Sequence, residues 1–425
     1  MPGRSRVLLR QFAGLAGSLL ISRVVAGASL IGFAALTGPE PFAPFGAYLA
    51  AVTIMSVVVS GRYEQAIMFI KGDRDATAVS WLALGIALAV TGATTIVAVV
   101  WLLFALPLPA ALADSWLLLL TAPASLAVRA ISQVALNLAT RDGNFSVLGS
   151  ANLVQALVQA CVQFALLWAG LTPVLCLAAA EVAGMLAAGA LVLSTSPSVR
   201  SILAARPTVV ELRAISIHWR MMPCWNMPTS LLSVAALSAP ALLLPFLYPA
   251  GIAGQLLLGI RLMEMPTNVF ASAVTPLLQK QVAGSTDKGR AIWSALNLLG
   301  ALSFAGFALA AAVALAGAGL FEGTRWAVAI AAVPWLTPYF AGLAMSGPLV
   351  ALVPGLRAEQ QAVWCHAAFL AMTLAVVAAA VSGLAGAGMA WQTLLAAFGA
   401  TMLVRAALFA FMLVTRAKHD DPEIA

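Results

Sequence analysis

A few charged residues lie inside long apolar stretches of the chain, where each needs a chemical reason. Arg23 lies near the middle of one such stretch, too far from either end for its side chain to reach water comfortably. Arg261 and Glu264 share another stretch at a spacing of three, which puts both on one helix face and lets them pair. A buried arginine can bind an anion, and a buried carboxylate can couple binding to protons or sodium.

The remaining charges in such stretches leave several readings open. Glu181 has no charged neighbour within a helical turn, so it is protonated, paired with a remote arginine such as Arg23 or Arg405, or open to water. We expect Arg405 and Arg129 to be structural anchors, with Arg129 in the cytoplasmic half of its stretch. We expect His366 to lie at the membrane interface. A structural salt bridge is the alternative explanation for Arg23 and for the Arg261–Glu264 pair.

The elements that carry these residues are predicted to be transmembrane helices. The chain is 62% hydrophobic and only 9% charged. A run of about 20 apolar residues spans the hydrocarbon core of a bilayer as a helix, because all its backbone groups bond internally. The fold class is therefore all-α integral membrane, with twelve spans at about 12–36, 46–66, 77–104, 115–138, 147–169, 174–194, 222–247, 251–278, 291–318, 327–353, 361–384 and 388–414.

The distribution of basic residues predicts the orientation of these spans. With both termini cytoplasmic, only Arg325 of the 22 Lys and Arg residues falls on the outer side, and Arg23, Arg261 and Arg405 lie within spans. The net charge of +7 is explained by orientation signals and anionic lipid headgroups, so no nucleic acid is expected as a partner.

No catalytic, metal or cofactor pattern is found in the sequence. The four cysteines, Cys161, Cys176, Cys224 and Cys365, lie in or at the edges of spans and show no ligand spacing, so they are expected to be free packing residues. The sequence has no phosphate-binding glycine loop and no nucleophile–base set. We therefore expect neither enzymatic activity, nor a metal, nor a cofactor.

The chain is predicted to consist of two similar halves. Residues 1–195 form an N-terminal six-helix bundle, 196–221 a cytoplasmic linker, 222–415 a C-terminal six-helix bundle and 416–425 a cytoplasmic tail. Prolines interrupt several spans of the second half, and each marks either an ordinary bend or a hinge beside a cavity. They are Pro223, Pro228 and Pro240, then Pro266, then Pro334 and Pro338, with Asn226 between the first two.

Several segments resemble one transporter family. Gly61-Arg62-Tyr63-Glu64-Gln65-Ala66-Ile67, which follows Gly38-Pro39-Glu40 and Phe45-Gly46-Ala47-Tyr48, is similar to bacterial lipid-linked oligosaccharide flippases of the Wzx type. Pro223, Asn226, Pro228 and Ser230 resemble the start of that family's second half. Phe321-Glu322-Gly323-Thr324-Arg325-Trp326 and the stretch from Leu343 to Pro348-Leu349 resemble its tenth-helix region. The chain departs from longer members in its short outer loops and in lacking a basic residue before Gly38.

The resemblance implies a fold and a substrate. The fold is that of the multidrug/oligosaccharidyl-lipid/polysaccharide (MOP) exporter superfamily, with two six-helix bundles around a central cavity. The substrate is an undecaprenyl-diphosphate-linked oligosaccharide for surface polysaccharide biosynthesis, whose phosphates Arg23, Arg261 and Arg62 would bind. Glu264, Glu181 and Glu64 would serve in ion coupling or ion pairing. The implied setting is the bacterial inner membrane, with a monomer alongside a glycan polymerase or assembly machinery.

Three other functions compete with this interpretation. A cation-coupled multidrug antiporter of the same fold requires an acidic cavity, and the central arginines oppose it. A membrane polymerase or ligase of lipid-linked glycans requires a large outer loop, and the predicted outer loops are short. A scaffold that recruits assembly proteins would have dispensable intramembrane arginines.

Overall fold

The computed structural model has an all-α architecture in the residues it describes, which are 2–104, 116–283, 285, 288–353, 356, 358–382 and 389–419. Within these ranges the side chains of 2–16, 145, 272–273, 276–277, 279–281, 283 and 418–419 are not described. Six of the Lys and Arg residues expected on the cytoplasmic side lie outside the described side chains. They are Arg4, Arg6, Arg10, Lys280, Arg357 and Lys418.

The chain forms fifteen α-helices in the described residues. They are α1 Pro2–Thr37, α2 Phe42–Val58, α3 Tyr63–Ala66, α4 Asp73–Leu103, α5 Leu117–Arg141, α6 Phe145–Trp168, α7 Pro173–Thr195, α8 Pro197–Ala204, α9 Val209–His218, α10 Met227–Leu247, α11 Ala250–Ala283, α12 Lys288–Phe321, α13 Ala327–Val350, α14 Glu359–Val381 and α15 Trp391–His419.

The membrane-spanning character predicted from the sequence is present, although twelve spans are not reached. By length and composition, ten described helices can cross a membrane, or up to eleven if the bent pair that follows α1 counts as one span. The helix that accounts for the difference is α11. It is 34 residues long, but Gln255, Arg261 and Glu264 make it more polar than its neighbours.

Two compact units divide the chain, Met1–Leu231 and Leu232–Ala425. In the first unit α6 packs against α1 and α7, and α5 packs against α4 and α7. In the second unit α13 packs against α11, α12 and α15, and α14 packs against α15. The segment expected to be a linker, 196–221, contains α8 and α9, which pack against α4 and bury Val199, Ile202 and Ile215.

The second span is broken rather than continuous as expected for 46–66. The helices Phe42–Val58 and Tyr63–Phe69 meet at 62°. Between them Gly61 and Arg62 both take left-handed backbone conformations, with φ of 58° and 63°. Glycine adopts this conformation freely, whereas an arginine pays a steric cost, so the bend at Arg62 is held by its surroundings.

Arg141 fastens the end of this broken span. Its Nε donates to the Ile70 carbonyl at 2.7 Å, and one Nη donates to the Lys71 carbonyl at 2.8 Å and to Asp73 Oδ1 at 2.7 Å. A helix that ends inside a membrane protein must have its last carbonyls satisfied. The side chain of Arg141 meets this need, so its role is structural.

The predicted interruption at the start of the seventh span is also present. Residues Met222–Asn226 form a π-helical turn before α10 begins. The other prolines lie within continuous helices, Pro240 in α10, Pro266 in α11, and Pro334 and Pro338 in α13. Of these predicted interruptions, the one around Pro223 is therefore where regular α-helical bonding is lost.

Glycines let the helices of each unit approach closely. A Cβ on Gly342 of α13 would lie 2.9 Å from the Met402 carbonyl carbon of α15, and one on Gly399 of α15 would lie 2.9 Å from Pro338 Cβ. In the first unit a Cβ on Gly184 would lie 2.8 Å from the Gln155 carbonyl oxygen. Small residues of this kind allow backbone-to-backbone packing where lipid gives no hydrophobic drive.

This packing predicts the effect of adding one methyl group. Gly342→Ala should destabilise the protein by about 1–3 kcal/mol, because α13 and α15 must separate. The matched control is Gly306→Ala in α12, where a Cβ meets nothing within 4 Å. Thermal unfolding of both purified variants in one detergent measures the difference. Equal melting temperatures would contradict the close approach.

Candidate functional site

The spans predicted from the sequence contain five arginines and three carboxylates among the described residues. The arginines are Arg23, Arg62, Arg129, Arg261 and Arg405, and the carboxylates are Glu64, Glu181 and Glu264. Each carboxylate has an arginine partner, as shown by Arg62–Glu64, Arg129–Glu181 and Arg261–Glu264. Two arginines therefore have no intramembrane carboxylate partner among the described residues, and these are Arg23 and Arg405.

The partners of the Arg129–Glu181 ion pair in the first unit were not predicted from the sequence. Arg129 Nη2 lies 2.8 Å from Glu181 Oε1, and their side chains are 11% and 13% exposed. Gln159 donates to the other oxygen of Glu181 at 3.3 Å. Of the three possibilities left open for Glu181, the structure has pairing with a remote arginine, although the partner is Arg129 and not Arg23 or Arg405. Arg129 lies at the centre of α5, because that helix continues to Arg141.

Further polar groups surround this pair. Tyr48 and Ser125 share a hydrogen bond of 2.5 Å, within electrostatic reach of Arg129 and Glu181. Two buried polar groups here have no hydrogen-bond partner among the described residues. They are the Arg129 Nε group and the side-chain oxygen Oε1 of Gln133, one turn beyond Arg129. The first unit thus has a polar interior, which an apolar sequence pattern alone does not reveal.

The pair in the second unit forms as the spacing predicts. Arg261 Nη1 lies 2.7 Å from Glu264 Oε2 on α11. The two side chains are 29% and 33% exposed, so they are accessible as well as paired. Asn268, one turn further along, is exposed. Arg261 is therefore a partly neutralised cation that an anionic ligand can still reach.

Arg62 lies at the break in the second span. Its Nη1 is 3.7 Å from Glu64 Oε1, and Glu64 also accepts a hydrogen bond from Ser60. The Arg62 Nε group is buried and has no partner among the described residues. Asn137 donates to the Glu64 carbonyl at 3.1 Å. The arrangement holds the bent backbone and leaves part of the guanidinium unused.

The same motif contacts the π-helical turn. Asn226 donates from Nδ2 to Gln65 Oε1 at 2.9 Å, and Ser230 donates to Asn226 Oδ1 at 3.1 Å. Three of the residues singled out by the family resemblance, Gln65, Asn226 and Ser230, are thus brought together. All three belong to the first unit.

Arg23 and Arg405 differ in exposure. Arg23 is partly exposed on α1 and forms no hydrogen bond or ion pair with the described residues. Arg405 is 3% exposed in the second unit and contacts Ser233. His366, expected at the membrane interface, is 2% exposed, and its ring packs against Phe409.

Cavities outside the spans lie beside α4 and α9. One of about 650 Å³ is lined by Lys71, Arg74, His218 and Trp219, among others. A second of about 340 Å³ shares Arg74 and Glu211 with it. Hydrogen bonds from the Thr208 backbone and hydroxyl, and then from Arg74, lower the pKa of Glu211 below its usual value. Arg74 is thereby tied to an ionised carboxylate.

The described residues contain no group of three His, Cys, Asp or Glu side chains placed to hold a metal ion. The four cysteines are free. The polar groups present can bind anions, form ion pairs or exchange protons.

No protein-family model and no curated protein matches the sequence. Solved structures do match over nearly the whole chain. The multidrug transporter DinF-BH in complex with R6G is 16% identical, with a TM-score of 0.67 and 95% of each chain covered. The transporter ClbM in complex with Rb+ is 15% identical, with a TM-score of 0.62 and 97% of each chain covered.

A third match is an inward-facing multidrug resistance transporter of the MATE family and the MOP superfamily. It is 14% identical, with a TM-score of 0.59, and 96% of this chain and 94% of that chain are covered. DinF-BH and ClbM are also MATE transporters. The chain therefore has the fold of MATE transporters, in agreement with the fold that the resemblance implied.

The Arg129–Glu181 pair predicts a strong effect on stability. Glu181→Gln should cost about 3–5 kcal/mol, because it leaves the buried Arg129 charge without compensation. Changing both residues to Met should recover most of this loss, since no buried charge remains. Unfolding of the single and double variants in detergent measures the coupling. Glu322→Gln, in an exposed loop, is the matched control and should leave unfolding unchanged. Equal losses in the single and double variants would contradict the pairing.

Proposed function

We propose that this protein is a flippase that moves an undecaprenyl-diphosphate-linked oligosaccharide from the cytoplasmic to the periplasmic leaflet. The observation that carries the proposal is the charge inside the helices. All three described intramembrane carboxylates are paired with arginines, and Arg23 remains partly exposed with no partner among the described residues. Such an interior favours an anionic substrate.

The chemistry of the substrate matches these side chains. A diphosphate loses its hydration shell when it enters a membrane protein, and guanidinium groups replace water by donating charge-assisted, often bidentate hydrogen bonds. Arg23 and Arg261 are the proposed contacts, because both are accessible. Arg62 is a third proposed contact, through the part of its guanidinium that Glu64 does not bind.

The proposed mechanism is alternating access, in which the lipid tail stays in the bilayer. The MATE-like fold supports it. Two local features support it as well, because helices change direction most easily where regular bonding is already lost. These features are the left-handed break at Gly61–Arg62 and the π-helical turn Met222–Asn226.

The proposal extends to location and assembly. We propose a bacterial inner-membrane protein with both termini in the cytoplasm, a monomer that supplies lipid-linked oligosaccharide to a polymerase or other assembly machinery. The ten or eleven apolar helices support a multi-pass membrane protein. Membership of the Wzx-type family is part of this proposal.

A multidrug antiporter is the second candidate, favoured by the functions of its structural neighbours. Two of them are multidrug transporters, and one is in complex with R6G. A third is in complex with Rb+. A carrier of cationic drugs requires a carboxylate that is free to meet them. Glu181 and Glu264 are paired here, which favours the flippase.

Replacing Arg23 tests the flippase proposal. In a flippase-deficient strain, the wild type should restore surface glycan, and Arg23→Ala should reduce it about tenfold or more, the factor that about 1.4 kcal/mol of lost binding gives. Lys at position 23 should rescue partly if charge suffices and hardly at all if bidentate geometry is needed. Surface glycan and lipid-linked precursor are measured together, with membrane insertion checked for each variant.

Arg325→Ala, which removes an exposed loop cation, is the matched control and should export normally. Failure of the well-expressed wild type to restore glycan, together with drug efflux from the same cells, would overturn the proposal in favour of the antiporter.

Ion coupling is tested at Glu264. If this carboxylate carries the coupled proton, Glu264→Gln should make export independent of external pH between about 6 and 8, since glutamine cannot titrate. Glu322→Gln controls for the loss of a surface carboxylate. A pH profile identical to that of the wild type would rule out proton coupling through Glu264.

A further inference from the structure

The second unit buries an arginine at the centre of its last helix. Arg405 lies midway along α15 and is 3% exposed. Its Nη2 donates to Ser233 Oγ of α10 at 3.1 Å, and its Nη1 lies 3.9 Å from Met402 Sδ. Its Nε group is buried and has no hydrogen-bond partner among the described residues. A guanidinium carries five N–H donors, so most of them are unused here.

No described carboxylate of the second unit compensates this charge. The described carboxylates there are Glu264, Glu322 and Glu359. Glu264 pairs with Arg261, and the other two are exposed outside or at the first turn of their helices. Arg405 therefore needs a negative partner from another source.

Two aromatic rings provide part of the compensation. The guanidinium carbon lies 5.0 Å from the centre of the Phe369 ring and 5.8 Å from that of Phe409. Desolvated cation–π contacts stabilise a charge by less than the cost of burying an ion. The rings offset the cost incompletely.

A second unpartnered group lies on the same ring. His366 of α14 is 2% exposed, and its Nδ1 has no hydrogen-bond partner among the described residues. Its ring centre is 4.8 Å from that of Phe409, the ring that Arg405 also contacts. A neutral imidazole can place its one N–H on Nδ1 and donate it to an anion. Two buried nitrogens without a hydrogen-bond partner among the described residues, Arg405 Nε and His366 Nδ1, thus lie on side chains that contact the same aromatic ring.

We propose that Arg405, His366 and Ser233 form a binding site for a small monovalent inorganic anion of the chloride type. The anion accepts hydrogen bonds from Arg405 Nε and His366 Nδ1 and from the Ser233 hydroxyl, whose oxygen already accepts from Arg405. One negative charge balances one guanidinium. The three side chains are at most 9% exposed, so the site is too enclosed for a sugar diphosphate or a lipid headgroup.

The site is separate from the proposed substrate contacts and does not rest on the flippase function. Its role is to complete the charge balance of the C-terminal bundle by joining α10, α14 and α15. Anion binding thereby stabilises the packing of these three helices.

Halide titration tests the site on the purified full-length protein. The melting temperature should rise with chloride by about 1–2 °C for each tenfold increase above the dissociation constant, relative to gluconate at equal ionic strength. Bromide should substitute for chloride and give an anomalous diffraction peak beside Arg405 in crystals. Equal melting temperatures in chloride and gluconate, or a bromide peak elsewhere in the second unit, would overturn the proposal.

Variants separate this site from a general salt effect. Arg405→Met should abolish the chloride dependence, and His366→Phe should weaken it about tenfold, the equivalent of one lost hydrogen bond. The double variant Arg129→Met with Glu181→Met, which removes an arginine from the first unit without leaving its carboxylate partner unpaired, is the matched control and should retain the dependence. A chloride dependence that persists in Arg405→Met would contradict the proposal. If Arg405→Met fails to fold, the wild-type titration and the bromide peak decide the question.

Discussion

The interior of this protein depends on one constraint, that a charge held away from water must be neutralised by the chain itself or by something it binds. In the hydrocarbon core no solvent performs this task. The described helices meet the constraint for every intramembrane carboxylate, since Glu64, Glu181 and Glu264 each lie within 3.7 Å of an arginine nitrogen. The arginines in the predicted spans outnumber these carboxylates, so the excess positive charge requires anions from another source.

The same constraint explains how broken helices survive in this fold. At several such places a side chain of another helix bonds the backbone group that is left free. Arg141 of α5 donates to the carbonyls at the end of the second span, and Asn137 of α5 donates to that of Glu64. Gln255 of α11 accepts from the first N–H groups of α13, at 3.0 and 3.2 Å. Polar residues on α5 and α11 therefore stabilise the breaks and ends of neighbouring helices.

Much of the fold could be predicted from the sequence because its causes are local. Apolar runs determine spans, and the spacing of Arg261 and Glu264 determines their pairing. What the sequence left open depends on contacts between distant segments. The partner of Glu181 could not be chosen because nothing near it in sequence indicates that the centre of α5 lies opposite. The burial of His366 follows from packing against Phe409, a residue of another helix. The left-handed pair at Gly61–Arg62 gives no periodic signal.

Exposure separates the two arginines that have no intramembrane carboxylate partner among the described residues. A large substrate must reach its contact and leave it again in every cycle, so the cation that binds it has to be accessible and only partly satisfied. Arg23 and the paired Arg261 meet this condition. Arg405 is enclosed by aromatic rings, so any partner it holds remains bound through the cycle. A single excess of positive charge thus serves two different purposes. In the proposed function it attracts the substrate, and in the proposed anion site it retains an ion that stabilises the packing of the second unit.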